Sequence, residues 1–282
     1  MTTLTKDQID EMVAGRTVAS EFLTTLAAHA DRTALRWMTG EDAWDSMTFA
    51  QMADLAARAA AGLRELGVVP GDRVVLMMRN IPEFHYLDLA VLFLGATPVS
   101  IYNSSSADQV AYLAGHCAAK VAIVENDAFL SKFLEVRDEL PELHTIVALV
   151  APPELPEGVV GHRALTDPEP LDLVEAATIG SPDDLATIIY TSGTTGSPKG
   201  VMLSNYNIVW TMEAFLPVYG GSHEDLAGKK VVSYLPMAHI AERMVSHYML
   251  LGGGIEVSTC PETSMLTAFL GEVHPNIVFG VP

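Results

Sequence analysis

Apolar and polar positions alternate between two periods along the chain. Met52, Ala56, Ala59, Leu63 and Leu66 recur at three- and four-residue intervals, which predicts a helix after Thr48. Thr48 with Gln51 makes a capping-box pattern at its start, and Gly67 supplies a stop. "PGD" is a turn, and "RVVLMM" (73–78) reads as a buried strand. A helix from about Pro82 to Leu94 follows, then the short strand "TPVSI". Ser106 with Gln109 repeats the capping-box pattern before a helix ending near His116. "AKVAIVE" (119–125) is a further strand, 128–140 a helix, and "HTIVALV" (144–150) a strand.

This rhythm, with apolar strands, predicts an α/β fold of layered, parallel-rich sheets covered by helices. Residues 151–182 break it with prolines and acidic side chains. They divide a first α/β subdomain, 1–175, from the start of a second, 176–282. The rhythm resumes with "DLATIIY" (184–190) and a second extended run, "KGVMLS". Ser204 or Asn205 then caps a helix that begins "NYNIVW". "LGGGIEV" (251–257) reads as a helix stop entering a strand. "PNIVFGVP" reads as an apolar strand at the last residues, which leads us to expect a longer parent protein.

The 282 residues carry a formal charge of -19, which argues against a nucleic-acid binder. Cys117 and Cys260 match no metal spacing and are expected to be buried free thiols. The N-terminus has no apolar signal-peptide region, and the run from Leu89 to Ile101 is too short to span a bilayer. The expectation is a soluble, cytoplasmic protein, with peripheral membrane contact left open.

Between "DLATIIY" and "KGVMLS" lies "YTSGTTGSPKG", Tyr190 to Gly200. Gly193, Gly196 and Gly200 allow close backbone approach, and successive N–H groups in such a loop can cradle an anion. Thr191, Ser192, Thr194, Thr195 and Ser197 add hydroxyls, and Lys199 adds a positive charge suited to phosphate oxygens. The Walker pattern fails, because Pro198 precedes Lys199 and Gly200 follows it. A Gly/Ser/Thr-rich stretch alone is commonly just a surface turn. The lysine among so many donors, between apolar strands, favours polyphosphate binding.

The stretch "YTSGTTGSPKGVMLS" resembles the signature phosphate loop of the adenylate-forming, or AMP-binding, enzyme family. The resemblance extends from "TFAQMADLAARAAAGLRELGVVPGDRVV" to the end of the chain. "SIYNSSSADQVAYLAGHCAAKVAIVEN" and "SYLPMAHIAERM" are most similar to long-chain fatty acid–CoA ligases. The resemblance implies activation of a fatty acid with ATP and Mg²⁺ to an acyl-adenylate and pyrophosphate, then transfer to coenzyme A with release of AMP. It implies that Thr191, Ser192, Gly193, Thr194, Thr195, Gly196 and Lys199 hold the β- and γ-phosphates. Thr191 and Lys199 would act in catalysis together with His239, which lies in "LPMAHIAER" and would line the acyl site. Without the resemblance, His239 reads as a hydrogen-bonded core histidine.

The resemblance also implies that the Mg²⁺-associated acid, the ribose-binding Asp and the C-terminal catalytic Lys lie beyond Pro282, so no metal ligand is assigned here. Glu242 and Arg243 are expected to form a surface or interlayer ion pair. Met237 and Met244 are core or acyl-channel residues, and Trp210 and Phe215 line a channel or pack helices. Two alternatives stay open: adenylation of another carboxylic acid, and a non-catalytic ATP-binding fragment.

Overall fold

The computed structural model describes residues 4–40, 43–191, 197–219 and 221–280. Among these residues, eleven strands form three sheets. In chain order they are β1 (Thr33–Met38), β2 (Trp44–Thr48), β3 (Arg73–Met77), β4 (Thr97–Ser100), β5 (Val121–Val124), β6 (Thr145–Ala148) and β7 (Val159–Gly161). They continue with β8 (Leu185–Thr191), β9 (Lys199–Ser204), β10 (Lys230–Ser233) and β11 (Glu256–Thr259). The first six helices are α1 (Lys6–Met12), α2 (Val18–His29), α3 (Phe49–Glu65), α4 (Pro82–Phe93), α5 (Ala107–His116) and α6 (Asp127–Glu135).

The five-stranded sheet runs β4-β3-β5-β6-β7, and every pairing in it is parallel. Its strands β3 to β6 are buried almost throughout, which is why they read as continuous apolar runs. The capping boxes expected at Thr48–Gln51 and Ser106–Gln109 are both formed. The helix expected over 128–140 is shorter: α6 ends at Glu135, and a 3₁₀ turn covers Arg137–Glu139.

The four-stranded sheet, β10-β11-β1-β2, joins the two ends of the chain. β1 pairs parallel with β11 and antiparallel with β2. The sheet therefore draws strands from both sides of the 175/176 boundary. Residues 151–182 also pack closely against the body of the protein. The Arg163–Thr166 turn sits so near α3 that a Cβ on Gly62 would stand 2.1 Å from the Ala164 carbonyl oxygen.

Helix α4 is buried on every side and contacts both β1 and β3. A helix apolar all round must lie inside the molecule, and this one lies against both larger sheets. It carries two fully buried polar residues, His85 and Asp88. The two-stranded ribbon β8–β9 lies beside β4, where Thr187 Oγ1 donates to the Pro98 carbonyl at 2.9 Å. Cys117 and Cys260 are buried free thiols.

One strand expected from sequence is absent. Within "PNIVFGVP", the described residues form a single parallel bridge, Val231 to Ile277. Pro275 and Gly280 bracket the run, Val278 points out at 64% exposure, and the Asn276 N–H and side chain are taken by Lys230. Too few backbone groups remain to extend a ladder.

Candidate functional site

A cavity of about 670 Å³ opens between the ribbon, the N-terminal half of α5 and the segment after β10. Thr191, at the end of β8, and Ser197 and Pro198, just before β9, form one wall. His239 and Ile240 form another, and Tyr102, Ser104, Ser105, Asp108 and Tyr112 a third. The wall is mainly apolar with hydroxyls at its rim, a composition that suits an amphiphilic ligand.

The ribbon sets the positions of the loop residues. Thr191 and Lys199 are directly paired at its open end. Next along, Tyr190 pairs with Gly200, and a Cβ on Gly200 would stand 2.9 Å from Ile188 Cγ2 and 3.4 Å from the Tyr190 ring. Gly200 therefore leaves room for the Ile188 side chain, with the Tyr190 ring in ordinary contact beside it. Lys199 is exposed and is not among the residues lining the cavity. Ser192, Gly193, Thr194, Thr195 and Gly196 lie outside the described residues.

His239 is exposed and opens the short helix Ile240–Glu242. Its Nδ1 accepts the Ala241 N–H at 3.2 Å, so in the neutral ring Nε2 carries the proton. The reading of His239 as a core histidine does not fit this exposure. The segment before it is tied down by Asn80, whose Nδ2 donates to Ser233 Oγ at 2.8 Å and to the Leu235 carbonyl at 2.9 Å.

Behind His239, the chain passes from Ile240–Glu242 into a π-helical stretch, Arg243–Tyr248. Here the expected Glu242–Arg243 ion pair is corrected. Arg243 is fully buried and donates to Asp88 Oδ2 on α4 at 2.6 Å, while Glu242 Oε2 accepts the Leu235 N–H at 3.3 Å. Adjacent helical residues diverge by about 100°, so the two side chains reach different partners. Met237 and Met244 are buried in the main core. Trp210 Nε1 donates to Asp10 at 2.9 Å, which assigns it to packing against α1.

The buried cluster has a single consistent proton arrangement. His247 Nε2 donates to Asp88 Oδ1 at 2.8 Å, so its Nδ1 is an acceptor. His85 Nδ1, 3.1 Å away, must then be the donor. Burial raises the Asp88 carboxyl, but Arg243 and His247 outweigh it and hold it below the ordinary carboxylate range. Burial, with His247 and Arg243 adding to it, pushes His85 well below the ordinary imidazole range. Nothing in the sequence pattern reveals this cluster, because its two halves, His85 with Asp88 and Arg243 with His247, are bonded across 155 or more positions.

The donor chemistry fits ATP in part. Thr191 and Ser197 line one cavity, and Lys199 is paired with Thr191 at the end of the ribbon. It does not supply a metal site, since no three His, Cys, Asp or Glu side chains converge among the described residues. No described helix is long and apolar enough to cross a membrane.

Comparisons with known proteins agree with the fold. A long-chain-fatty-acid–CoA ligase of Xenopus laevis is 33% identical over 274 residues, covering 94% of this chain and 37% of that protein. A long-chain-fatty-acid–CoA ligase of Mycobacterium tuberculosis is 32% identical over 242 residues, covering 85% of this chain and 39% of that protein. The crystal structure of an anthranilate–CoA ligase in complex with anthranoyl-AMP superposes with a TM-score of 0.79 at 22% identity, covering 96% of this chain and 51% of that one. The chain thus spans well under half the length of these curated relatives, and the α/β architecture is that of the N-terminal part of adenylate-forming ligases. The AMP-binding enzyme family model matches residues 22–282, and the chain belongs to that family.

Proposed function

We propose that the chain forms the N-terminal portion of an ATP-dependent acid–thiol ligase that converts a long-chain fatty acid to acyl-adenylate and then to acyl-CoA. The observation that carries this reading is that Thr191, Ser197 and His239, from three separate segments, share one largely apolar cavity. The names of the curated relatives support the long-chain fatty acid as substrate.

In this reading a carboxylate attacks the α-phosphorus of ATP and pyrophosphate leaves. Donors placed on the leaving group stabilise charge that grows in the transition state. Thr191, Ser197 and Lys199 are the described donors for that task, and Ser192 to Gly196 are proposed to complete it. His239, with its proton on Nε2, would donate to the carboxylate or the adenylate near the acyl end of the cavity. The apolar wall would take the alkyl chain. Mg²⁺ would enter with the nucleotide, and no step is assigned to it here.

A panel of acids in an adenylation assay on the complete gene product tests the substrate class. Long-chain fatty acids should give the highest kcat/KM. A short aryl or amino acid preferred over them would overturn the fatty-acid assignment while leaving the ligase reading intact.

A further inference from the structure

Helix α5 reaches the ribbon at two points, one on β8 and one just before β9. Tyr112 Oη donates to the Pro198 carbonyl at 2.9 Å. His116 Nδ1 is hydrogen-bonded to the Tyr190 hydroxyl at 2.8 Å. Tyr112 and His116 are four residues apart, so they lie one above the other on the same face of the helix. Their rings are tilted by 31° with centroids 5.4 Å apart, which couples the two contacts. Pro198 immediately precedes Lys199, and Tyr190 immediately precedes Thr191. The side chains on α5 therefore hold both ends between which the phosphate-loop residues run.

The Tyr190 side of this arrangement is built. Its ring is buried, and Ile188 and Tyr190 join the apolar cluster that α5 shares with the parallel sheet. The ring packs against Gly200, where a Cβ would stand 3.4 Å from it, an ordinary contact. His116 itself is exposed, Tyr112 is half-buried, and Tyr112 also lines the cavity.

We infer that Tyr112 and His116 are positioning residues, a two-point clasp that fixes the spacing of Thr191 and Lys199 for a polyphosphate. The inference rests on the proposed phosphate role of that loop. Thr191 and Lys199 are paired across the mouth of the ribbon, so a change of strand spacing there moves the hydroxyl and the ammonium relative to each other. Preorganised donors lose much of their value when displaced by about 1 Å. Neither clasp residue needs to touch the phosphate.

The test uses the complete gene product and three variants. Tyr112→Phe keeps the ring and removes one hydrogen bond, and His116→Ala removes the other. His116→Asn keeps a polar atom near the Nδ1 position and serves as the conservative rescue. Hydrogen exchange without ligand should be faster at 185–191 and 197–204 in Tyr112→Phe and His116→Ala, and restored in His116→Asn. The Kd for inorganic pyrophosphate and the KM for ATP should rise about fivefold in the first two, as for loss of one neutral hydrogen bond. In His116→Ala, whose side chain does not line the cavity, the KM for the acid should stay unchanged, which a general loss of structure would not allow.

Unchanged exchange and unchanged pyrophosphate affinity in both variants would overturn the clasp. Faster exchange with unchanged affinity would overturn its link to phosphate binding. A wild-type protein that binds neither pyrophosphate nor ATP would sink the proposed function instead, and the ligand-free exchange would still decide whether the clasp exists.

Discussion

At the scale of single residues, charge and burial make the sharpest statements. Lys199 stands exposed at the start of β9, paired with Thr191, and is the cation nearest in sequence to the loop hydroxyls. If it neutralises the leaving pyrophosphate, Lys199→Ala should slow single-turnover adenylation by about ten- to a hundredfold, the worth of a charge-assisted contact. An unchanged rate would remove Lys199 from the chemistry. Glu242 lies three residues after His239 and is 3% exposed. Burial raises its carboxyl above the ordinary range against the opposing hydrogen bonds of Ser233 and Ser246. A raised folded-state pKa means stability that is present below the unfolded value, about 4.3, and is lost as pH rises. Glu242→Gln should therefore raise Tm relative to wild type more at pH 7 than at pH 4, both values being about 3 units apart to bracket that titration. An equal effect at the two pH values would show that Glu242 is not the titrating group. The glycines, hydroxyls and Lys199 could be read from sequence because they are contiguous. Arg243 could not, since its partner Asp88 lies on α4, 155 positions away.

At the scale of elements, the segment from Ile240 to Gly253 is held to α4 by polar contacts inside an apolar core. Arg243 bonds Asp88 and the Tyr248 hydroxyl, and its guanidinium lies 5.5 Å from the Phe84 ring centre. A buried pair is weak evidence of net stabilisation, but breaking one leaves a costly unpaired charge. Asp88→Asn should lower unfolding free energy by about 3–5 kcal/mol in urea titrations, and a loss below about 1 kcal/mol would show that Arg243 is compensated elsewhere. The two neutral histidines add a pH dependence of the opposite sign to Glu242. Their folded-state pKa values are lowered, first by burial, so the unfolded chain binds more protons as pH falls below about 6.5. The urea midpoint should drop from about pH 7 to about pH 5.5, and this drop should shrink in His85→Gln. A drop of unchanged size in that variant would assign the pH dependence to other groups. Periodicity identified α3, a capping box α5, and apolar runs α4 and most strands of the parallel sheet, all of them local signals. The β1–β2 hairpin and the first two helices were not read, although Thr5 and Thr17 each form a capping box. The terminal apolar run reads as a strand, yet only one bridge forms among its described residues.

At the scale of the whole molecule, the sheets tie distant parts of the chain to one cavity. The four-stranded sheet brings β1 and β2 against β10 and β11, so the segment carrying His239 springs from a sheet that the N-terminal third completes. The ribbon carrying Thr191 lies beside β4, at the edge of the other sheet. Alternating strands and helices made the α/β class legible in sequence. The pairing of the chain's two ends was not, because strand order depends on long-range packing that no local pattern encodes. This architecture is proposed to serve acid activation by ATP. Acid-dependent ATP–pyrophosphate exchange tests it most directly, measured on the complete gene product with residues 1–282 alone alongside. Exchange stimulated by long-chain fatty acids is expected in the complete protein, and none above background in the 1–282 piece. Absence of acid-stimulated exchange in the complete protein, or robust exchange by residues 1–282 alone, would contradict it.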